Sequence, residues 1–375
     1  MSTLLGIYIV VGVLSAIAYG WLILFYLRGW RDLPKFNLAV GDRLPDTKVT
    51  IIVAARNEAG NIQACLDSLL AQAYPHEWLQ IIIVDDHSTD STADLIQATA
   101  GVEYVLSEGT GKKAALATGI ARATGSLILT TDADCVVPPG WVAYMLAYYQ
   151  QTDHQFIAAP ALFRAGDSWL TRFQALDFTG MMLLTGAGLH RNFQRMANGA
   201  NCAFTREAYE QVGGYTSSSQ YASGDDMFLL HSIATAYPGR VGFLKQAAAT
   251  VFTDPAPTLS AFYRQRLRWA TKNAAFSDWR VNAALLPVGV LSVAIVAGVL
   301  LSPLSWHWLA MALGLLAGKS GFDFLLLRES TTFFGRRGWM RFFPLSALLH
   351  PLYIAVVGVA SQFVKRYEWK GREVV

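Results

Sequence analysis

The sequence predicts an α/β domain built on a mostly parallel sheet, with transmembrane helices before and after it. Between about residues 40 and 255, short β-rich runs alternate with stretches of helix-compatible composition, which is typical of a sheet covered by helices on both faces. Apolar residues concentrate at the two ends of the chain. Of its 375 residues, 53% are hydrophobic and only 15% are charged, whereas soluble proteins carry about 25% charged residues.

The β-rich runs predict four strands, and the stretches between them predict three helices. The strands are Val49–Ala54, Leu79–Val84, Glu103–Leu106 and Leu127–Thr130. The helices are Ala59–Ala71, Thr89–Ala100 and Lys112–Ala123. Because parallel α/β sheets bind ligands at the carboxyl ends of their strands, the residues that follow each strand are the first candidates for a functional site.

The N-terminal apolar run predicts a membrane anchor at residues 1–27. Leu4–Leu27 contains no charge, and Arg28, Arg31 and Lys35 follow it. About 20 apolar residues suffice to cross a bilayer. A cleaved signal peptide is the alternative, but no basic stretch precedes this run and it is too long for one. The positive-inside rule then predicts a cytoplasmic domain, residues 28–280, on an inner or plasma membrane.

Three further apolar segments predict a C-terminal membrane region over residues 281–375. They are Val281–Leu301, about Trp306–Leu327 and about Phe342–Val364. The uncharged Ser302–Ser305 predicts a tight hairpin, and the arginine-rich Arg328–Arg341 predicts a cytoplasmic connection. Lys319 and Asp323 lie four residues apart on the middle segment, where one helical turn allows them to pair.

The topology of the last segment stays open. Four spans put the C-terminal tail outside, whereas its basic residues favour the cytoplasmic side. Those residues are Lys365, Arg366, Lys370 and Arg372. Pro344 and Pro351 leave a re-entrant segment or a short hairpin as the alternative.

The composition excludes several classes of protein. A net charge of +3, from 30 Lys and Arg against 27 Asp and Glu, is too small for a nucleic-acid binder that works through a basic surface. The apolar content excludes a disordered or collagen-like chain. Cys65, Cys135 and Cys202 lie far apart without a C-x-x-C pair. They predict neither a zinc knuckle nor a disulfide framework, which is typical of a reducing compartment.

Acidic residues follow two of the predicted strands. Asp85 and Asp86 follow the second strand, where they can accept hydrogen bonds from a base or a ribose; helix capping by Ser88 or Asp90 is compatible with this.

Asp132 and Asp134 follow the fourth strand. Mg²⁺ and Mn²⁺ bind through a few carboxylates and the phosphate oxygens of a substrate. A D-x-D sequence occurs often by chance, but its position after a strand, with another acidic pair at a second strand end, favours a metal site.

A third acidic pair, Asp225-Asp226, follows Gly224 and precedes the helical run Met227–Ala236. A plain helix cap is the simpler interpretation, and a general base for a reacting hydroxyl is the functional one. Two glycine-rich stretches, Gly199–Asn201 and Gly213–Tyr215, are candidates to shape the pocket around it.

The segment Gln265-Arg266-Leu267-Arg268-Trp269 begins where the soluble domain meets the membrane. Arg268 is a candidate phosphate ligand, and Trp269 is either a stacking platform for a sugar ring or an interfacial anchor. Lys112, after two glycines, is a candidate phosphate ligand or an ordinary lysine at a helix start.

Together these segments resemble the membrane-bound family 2 glycosyltransferases, the superfamily of cellulose, chitin, hyaluronan and ceramide-glucoside synthases. The segments, in family order and covering about residues 48 to 270, are IIVAARNEAGNI (51–62), IVDDHSTD (83–90), GKKAALATGI (111–120), TDADC (131–135), NGANCAFTREAYEQVGGY (198–215), GDD (224–226) and QRLRW (265–269).

The resemblance implies a GT-A fold, which is Rossmann-like with a mostly parallel sheet, and an inverting transfer from a nucleotide-diphosphate sugar. It implies that the nucleoside pocket is lined by Ala54, Arg56, Glu58 and Asp86. Asp132 and Asp134 would hold the ribose and the Mg²⁺ or Mn²⁺ that bridges the diphosphate, with Lys112 facing the phosphates.

For the acceptor side, the resemblance implies that Asp226 is the base, with Asp225 beside it. Gln265, Arg268 and Trp269 would form the Q-x-x-R-W element, with Trp269 at the acceptor end and Arg268 near the diphosphate.

Two positions depart from the family pattern. The element before the helix usually reads glutamate–aspartate, whereas this chain has Asp225-Asp226, and position 56 is arginine where other members have an aromatic residue. Both departures blur the nucleotide preference, although UDP is the usual carrier.

The sequence favours a lipid acceptor, and two alternatives to this function remain open. A lipid acceptor needs only a membrane-proximal site, and Trp169–Leu189 is a candidate to lie beside it, with core packing as its alternative. A processive polysaccharide synthase needs a pathway through several spans, and about four are predicted. A non-catalytic scaffold is the third interpretation, against which the intact Asp86, Asp132, Asp134 and Asp226 argue.

Overall fold

The computed structural model describes residues 2–38, 46–215, 224–273, 278–363, 367–369 and 372–374. The chain divides into two compact units, which are described separately. The helical unit comprises Met1–Asp32, Ala165–Gln194 and Pro255–Tyr367. The sheet unit comprises Leu33–Arg164, Arg195–Asp254 and Glu368–Val375.

The helices are α1 (Ser2–Asp32), α2 (Ile62–Leu70), α3 (Thr92–Gln97), α4 (Lys112–Arg122), α5 (Trp141–Thr152), α6 (Trp169–His190), α7 (Arg206–Gln211), α8 (Asp225–Ala236), α9 (Leu259–Asn273), α10 (Trp279–Leu300), α11 (Trp306–Phe333) and α12 (Phe343–Ala360). The strands are β1 (Val49–Ala55), β2 (Leu79–Asp85), β3 (Glu103–Leu106), β4 (Leu127–Asp132), β5 (Phe156–Ala158), β6 (Ala161–Phe163), β7 (Cys202–Thr205), β8 (Val241–Phe243), β9 (Val251–Thr253), β10 (Tyr367–Trp369) and β11 (Arg372–Val374).

The sheet unit is built on a seven-stranded sheet of order β3-β2-β1-β4-β7-β5-β8. Its pairs are parallel except for β7, which runs antiparallel to both neighbours. The predicted mostly parallel α/β fold is therefore confirmed. All four predicted strands form, and β2 and β4 each extend into the acidic residues that follow the apolar run, Asp85 and Asp132.

The core of the sheet unit follows from the continuous apolar run of β1. Val49, Ile51, Ile52 and Val53 are fully buried, as expected for a central strand covered on both faces. Helix α4 packs closely on this strand because it has Gly119 at the contact. A Cβ at that position would lie 2.6 Å from Ile52 Cγ2, so a larger residue there would push the helix away from the sheet.

The helical unit contains four helices that are long and apolar enough to cross a membrane: Thr3–Asp32, Trp279–Leu300, Trp306–Phe333 and Arg337–Ala360. Each of the four predicted apolar segments corresponds to one of them. The predicted hairpin is a single 3₁₀ turn at Ser302–Leu304. The last segment is one continuous helix with Pro351 inside it. Of the basic tail residues, Lys365, Arg366 and Lys370 lie outside the described residues.

Helices α6 and α9 belong to the helical unit, although both fall inside the predicted domain 28–280. Phe173, Leu176, Phe178 and Leu183 of α6 are buried, and this helix packs against α1, α11 and α12. The structure thus favours core packing for the segment Trp169–Leu189.

Candidate active site

The carboxyl ends of β1, β2 and β4 meet at one edge of the sheet. Ala54 lies opposite Val84 on one side and Asp132 on the other, and Ala55 lies opposite Asp85. This register follows from the central position of β1. It brings three of the predicted site segments to the same edge, where parallel sheets bind ligands.

Asp86 is buried at this edge and organises the loop before α4. Its backbone N–H donates to Ala55 O at 2.8 Å, and its Oδ1 accepts from the backbone N–H of Gly111 at 2.8 Å. Gly111 has φ +93° directly before α4, a left-handed conformation that favours glycine. Asp86 therefore fixes the start of the helix that carries Lys112.

Arg56 is held across the turn that follows β2. Its Nη1 donates to Asp86 O at 2.6 Å and to His87 O at 2.9 Å. Asn57, which the sequence analysis missed, supports the same turn by accepting from the backbone N–H of Thr89 at 2.8 Å. The backbone N–H of Glu58 donates to Thr92 Oγ1 at 2.8 Å. Arg56, Glu58 and Asp86 are thus brought together by one network.

Asp132, Asp134 and Cys135 form a group whose potential ligand atoms all lie within 4.8 Å of one another. The Cys135 thiol donates to Asp134 Oδ1 at 3.5 Å. Burial, together with the nearby carboxylates of Asp134 and Asp132, raises the pKa of this thiol well above its usual range. The sulfur is therefore protonated at neutral pH, and the carboxylate oxygens are the donors that fit a hard cation such as Mg²⁺ or Mn²⁺.

Lys112 lies at this acidic group. Its Nζ contacts Asp132 Oδ1 at 2.6 Å, and the two side chains are 21% and 34% exposed. An ammonium group at a partly exposed carboxylate can exchange partners without leaving a charge buried.

Asp226 lies in the first turn of α8, and its carboxylate accepts two backbone hydrogen bonds. Oδ2 accepts from Gly199 N–H at 2.8 Å, and Oδ1 accepts from Met227 N–H at 2.9 Å. Gly224, with φ +85°, starts the helix. Asp226 is thus bonded both to its helix and to the glycine-rich loop, so the capping and functional interpretations are compatible. The side chain of Asp225 lies outside the described residues.

Asp226 is linked to the same sheet edge through the loop before the antiparallel strand β7. Because β7 runs opposite to β4, its first residue, Cys202, pairs with Thr130 near the end of β4. Thr131 Oγ1 donates to Ala200 O at 2.8 Å, and Gly199 then binds Asp226. The predicted pocket loop Gly199–Asn201 therefore links the end of β4 to α8. The other glycine-rich turn packs Tyr215 edge-on against Tyr209.

Two further residues of this region make contacts that the sequence analysis did not foresee, although it named Asn201 as the end of a pocket loop. Asn201 is fully buried; its Nδ2 donates to Pro160 O at 2.6 Å and Ala249 O at 2.9 Å, and its Oδ1 accepts from Trp141 Nε1. The Lys113 ammonium lies 4.6 Å from the ring centroid of Phe228 on α8. In the sequence, Asn201 stands out only as a polar residue directly before the apolar run of β7.

Gln265, Arg268 and Trp269 lie on α9, in the helical unit, whereas the acidic residues lie in the sheet unit. Within the helical unit, the ring of Trp269 lies near that of Phe178 on α6, with 6.0 Å between the ring centroids and a tilt of 33°. Arg266, within the same segment, forms a buried ion pair with Asp177, which the sequence analysis also missed.

Comparison with known proteins gives one family and several relatives. A family model described as "Glycosyl transferase family 2" matches residues 50–213. A probable glycosyltransferase, YdaM, from Bacillus subtilis is 27% identical over 66% of this chain and 60% of its own length. An undecaprenyl-phosphate 4-deoxy-4-formamido-L-arabinose transferase from Yersinia pestis is 34% identical over 25% of this chain and 31% of its own. The chain thus spans less than two thirds of these relatives.

A solved structure shares the fold. The mannosyltransferase PcManGT from Pyrobaculum calidifontis, in complex with GDP-Man and Mn²⁺, aligns with 91% of this chain and 99% of its own at a TM-score of 0.59. Its sequence identity is 21%, so this likeness concerns the fold alone.

Proposed function

We propose that this chain, as a family 2 glycosyltransferase with membrane-spanning helices, moves one sugar from a nucleotide diphosphate to a lipid. The transfer would invert the configuration at the anomeric carbon. The observation that carries the proposal is the cluster of Asp86, Lys112, Asp132 and Asp134 at one sheet edge, with Asp226 joined to that edge through Gly199.

The donor side of the proposal rests on charge. Asp132 and Asp134 would hold Mg²⁺ or Mn²⁺, which supplies positive charge for the departing diphosphate when bound. Lys112 would leave Asp132 and bind a phosphate oxygen. Ala54, Arg56, Glu58 and Asp86 would bind the nucleoside. UDP is the expected carrier, and the GDP-Man of PcManGT makes GDP the first alternative to test.

The acceptor side rests on Asp226 as the general base. Its carboxylate would take the proton of the acceptor hydroxyl while that oxygen attacks the anomeric carbon. The bond between that carbon and the diphosphate oxygen breaks in the same step, and the diphosphate leaves with the bonding electrons. The N–H groups of Gly199 and Met227 hold the carboxylate in a fixed orientation, which supports this role.

A lipid acceptor is supported by the four apolar helices and by the relative whose name specifies a polyprenyl phosphate. Gln265, Arg268 and Trp269 would contact the acceptor and the diphosphate. The helices would hold the protein on an inner or plasma membrane with the sheet unit in the cytoplasm, where nucleotide sugars are made. A processive polysaccharide synthase is the alternative outcome of the test.

The test uses washed membranes that contain the full chain, Mn²⁺ or Mg²⁺, and a panel of radiolabelled UDP- and GDP-sugars. Label in an organic extract supports the lipid transfer, and mass spectrometry then identifies the acceptor. Label in an ethanol-insoluble pellet shows a polymer instead.

Asp226→Asn is the deciding variant, because it keeps the side-chain volume and removes the base. We expect transfer to fall by at least about a hundredfold, the scale of general-base catalysis, at unchanged expression. Asp94→Asn, an exposed aspartate on α3, is the matched control. Transfer by Asp226→Asn at the wild-type rate would refute the assignment of the base.

A further inference from the structure

Within the helical unit, a buried ion pair joins α9, which carries the predicted acceptor element, to α6. Arg266 lies between Gln265 and Arg268 on α9, and its Nη2 donates to Asp177 Oδ2 of α6 at 3.2 Å. The two side chains are only 4% and 8% exposed. Burial raises the pKa of the Asp177 carboxyl, and Arg266 is the largest influence that opposes it. Arg266 is therefore the strongest influence that favours the charged form of this buried carboxyl.

The same arginine contacts the aromatic residue of the element. Its guanidinium lies 4.4 Å from the ring centroid of Trp269, one turn later on α9, and 5.0 Å from that of Phe262, one turn earlier. Trp269 itself packs near Phe178, the neighbour of Asp177. Arginine is planar and forms directional hydrogen bonds, so its bond to Asp177 restricts where the indole ring lies.

Asp177 is in turn held by α12. Tyr353 Oη donates to Asp177 Oδ2 at 3.3 Å, and His350 Nε2 lies 3.7 Å from Asp177 Oδ1. On its other side, His350 Nδ1 accepts from Lys319 Nζ of α11 at 3.0 Å. The ion pair at α9 is thus one end of a longer polar chain.

The chain ends on α1. Lys319 Nζ contacts Asp323 Oδ2 at 2.6 Å, and Tyr19 Oη donates to Asp323 Oδ1. Two aspartates oppose one lysine and one arginine along the chain, so the charges balance. A buried network of charged groups favours one arrangement, since breaking a pair within it leaves a charge without its partner.

We infer that Asp177 and Arg266 are positioning residues for the acceptor. They hold Trp269, and with it the Q-x-x-R-W element, in the orientation that binds the lipid. The polar chain through His350, Lys319 and Asp323 anchors that orientation to the membrane helices. This inference rests on the proposed lipid transfer.

The first measurement is hydrogen exchange on the purified full chain in detergent, which needs no acceptor. In Asp177→Asn, deuterium uptake is expected to rise across residues 259–273 and to stay unchanged across residues 112–122 of the sheet unit. The double variant Asp177→Asn with Arg266→Gln is expected to recover part of the protection, because it leaves no buried charge unpaired. Arg31→Gln, which removes an exposed ion pair with Glu329, is the control.

The second measurement separates positioning from stability. The protein is reconstituted in vesicles of phosphatidylethanolamine and phosphatidylglycerol, doped with undecaprenyl phosphate in one arm and dioleoylglycerol in the other. For Asp177→Asn we expect the apparent KM for the lipid to rise at least about tenfold, within the hundredfold that misplaced substrates can cost. The KM for the nucleotide sugar is expected to rise less than that for the lipid, because most of the proposed donor contacts lie on the sheet unit and only Arg268 of this element would contact the diphosphate.

Either of two results would overturn the inference: unchanged exchange across residues 259–273, or equal rises in the KM values of lipid and nucleotide sugar. Failure of the proposed function gives a different result from failure of this inference. In that case the wild type itself neither transfers nor hydrolyses the sugar. The hydrogen-exchange result still decides whether Asp177 holds α9.

Discussion

One lysine–aspartate pair in each unit shows two opposite settings for a charge. At the edge of the sheet, Lys112 and Asp132 pair while partly exposed, and each can change partner when a ligand arrives. In the helical unit, Lys319 is fully buried and Asp323 is 12% exposed, so neither can leave its partner without a large desolvation cost. The Lys112–Asp132 pair is therefore suited to binding and release, whereas the Lys319–Asp323 pair is suited to fixing one geometry.

The largest expected effect comes from breaking the buried pair. Lys319→Met leaves Asp323 without its cation, and we expect the free energy of unfolding to fall by about 3–5 kcal/mol, as for other broken buried pairs. Thermal unfolding in detergent measures it. The double variant Lys319→Met with Asp323→Leu should recover part of the loss. If Lys319→Met alone is as stable as the wild type, the buried pair does not fix the geometry of the helical unit.

A smaller and different effect is expected at the sheet edge. Lys112→Gln removes the cation that competes with a metal for Asp132, so Mn²⁺ affinity without nucleotide should rise by up to about fivefold, the effect of a partly exposed charge. Nucleotide-sugar affinity should fall instead, because a phosphate partner is lost. Calorimetric titration measures both, with the exposed Lys48→Gln as control. Parallel changes in both affinities would contradict exchange of partners.

The smallest effect is expected at Arg164 and Asp254, an exposed pair in the sheet unit. The hydrogen bond from Arg164 lowers the pKa of Asp254. In the unfolded protein the pKa of this carboxyl is about 3.9, and in the folded protein it is lower. The charged carboxylate therefore stabilises the fold at pH values above about 3.9, and this stabilisation is lost as the pH falls through the pKa of the folded protein. Because the aspartate is 60% exposed, Asp254→Asn should cost less than about 1 kcal/mol.

This difference in stability should shrink between pH 6 and pH 3. Denaturant unfolding of wild type and variant across that range measures it. A difference that grows towards acidic pH would mean that the pair does not act through its charge.

The sheet edge was predictable because its determinants are local in sequence. The apolar runs of β1, β2 and β4 specify buried parallel strands, and each acidic pair follows its strand directly. A parallel arrangement was therefore enough to bring Asp86 and Asp132 to the same edge. Lys319 and Asp323 were predictable for the same reason, since one helical turn separates them.

The other contacts depend on tertiary packing. Asp177 and Arg266 are far apart in sequence, and no periodicity relates them. Asn201 is bonded to two distant backbone carbonyls and to Trp141, none of which a local pattern reveals. The assignment of α6 to the helical unit was likewise hidden, because a buried helix has the same apolar composition whichever core it joins.

The interrupted path of the sheet unit limits how the protein can be divided. The chain leaves this unit after Arg164 and returns at Arg195, so a fragment covering residues 33–254 would still carry α6. That helix would then present Phe173, Leu176 and Leu183 to water, together with the unpaired carboxylate of Asp177. Such a fragment is expected to aggregate, and a soluble version of the sheet unit is expected to need a polar linker in place of residues 165–194.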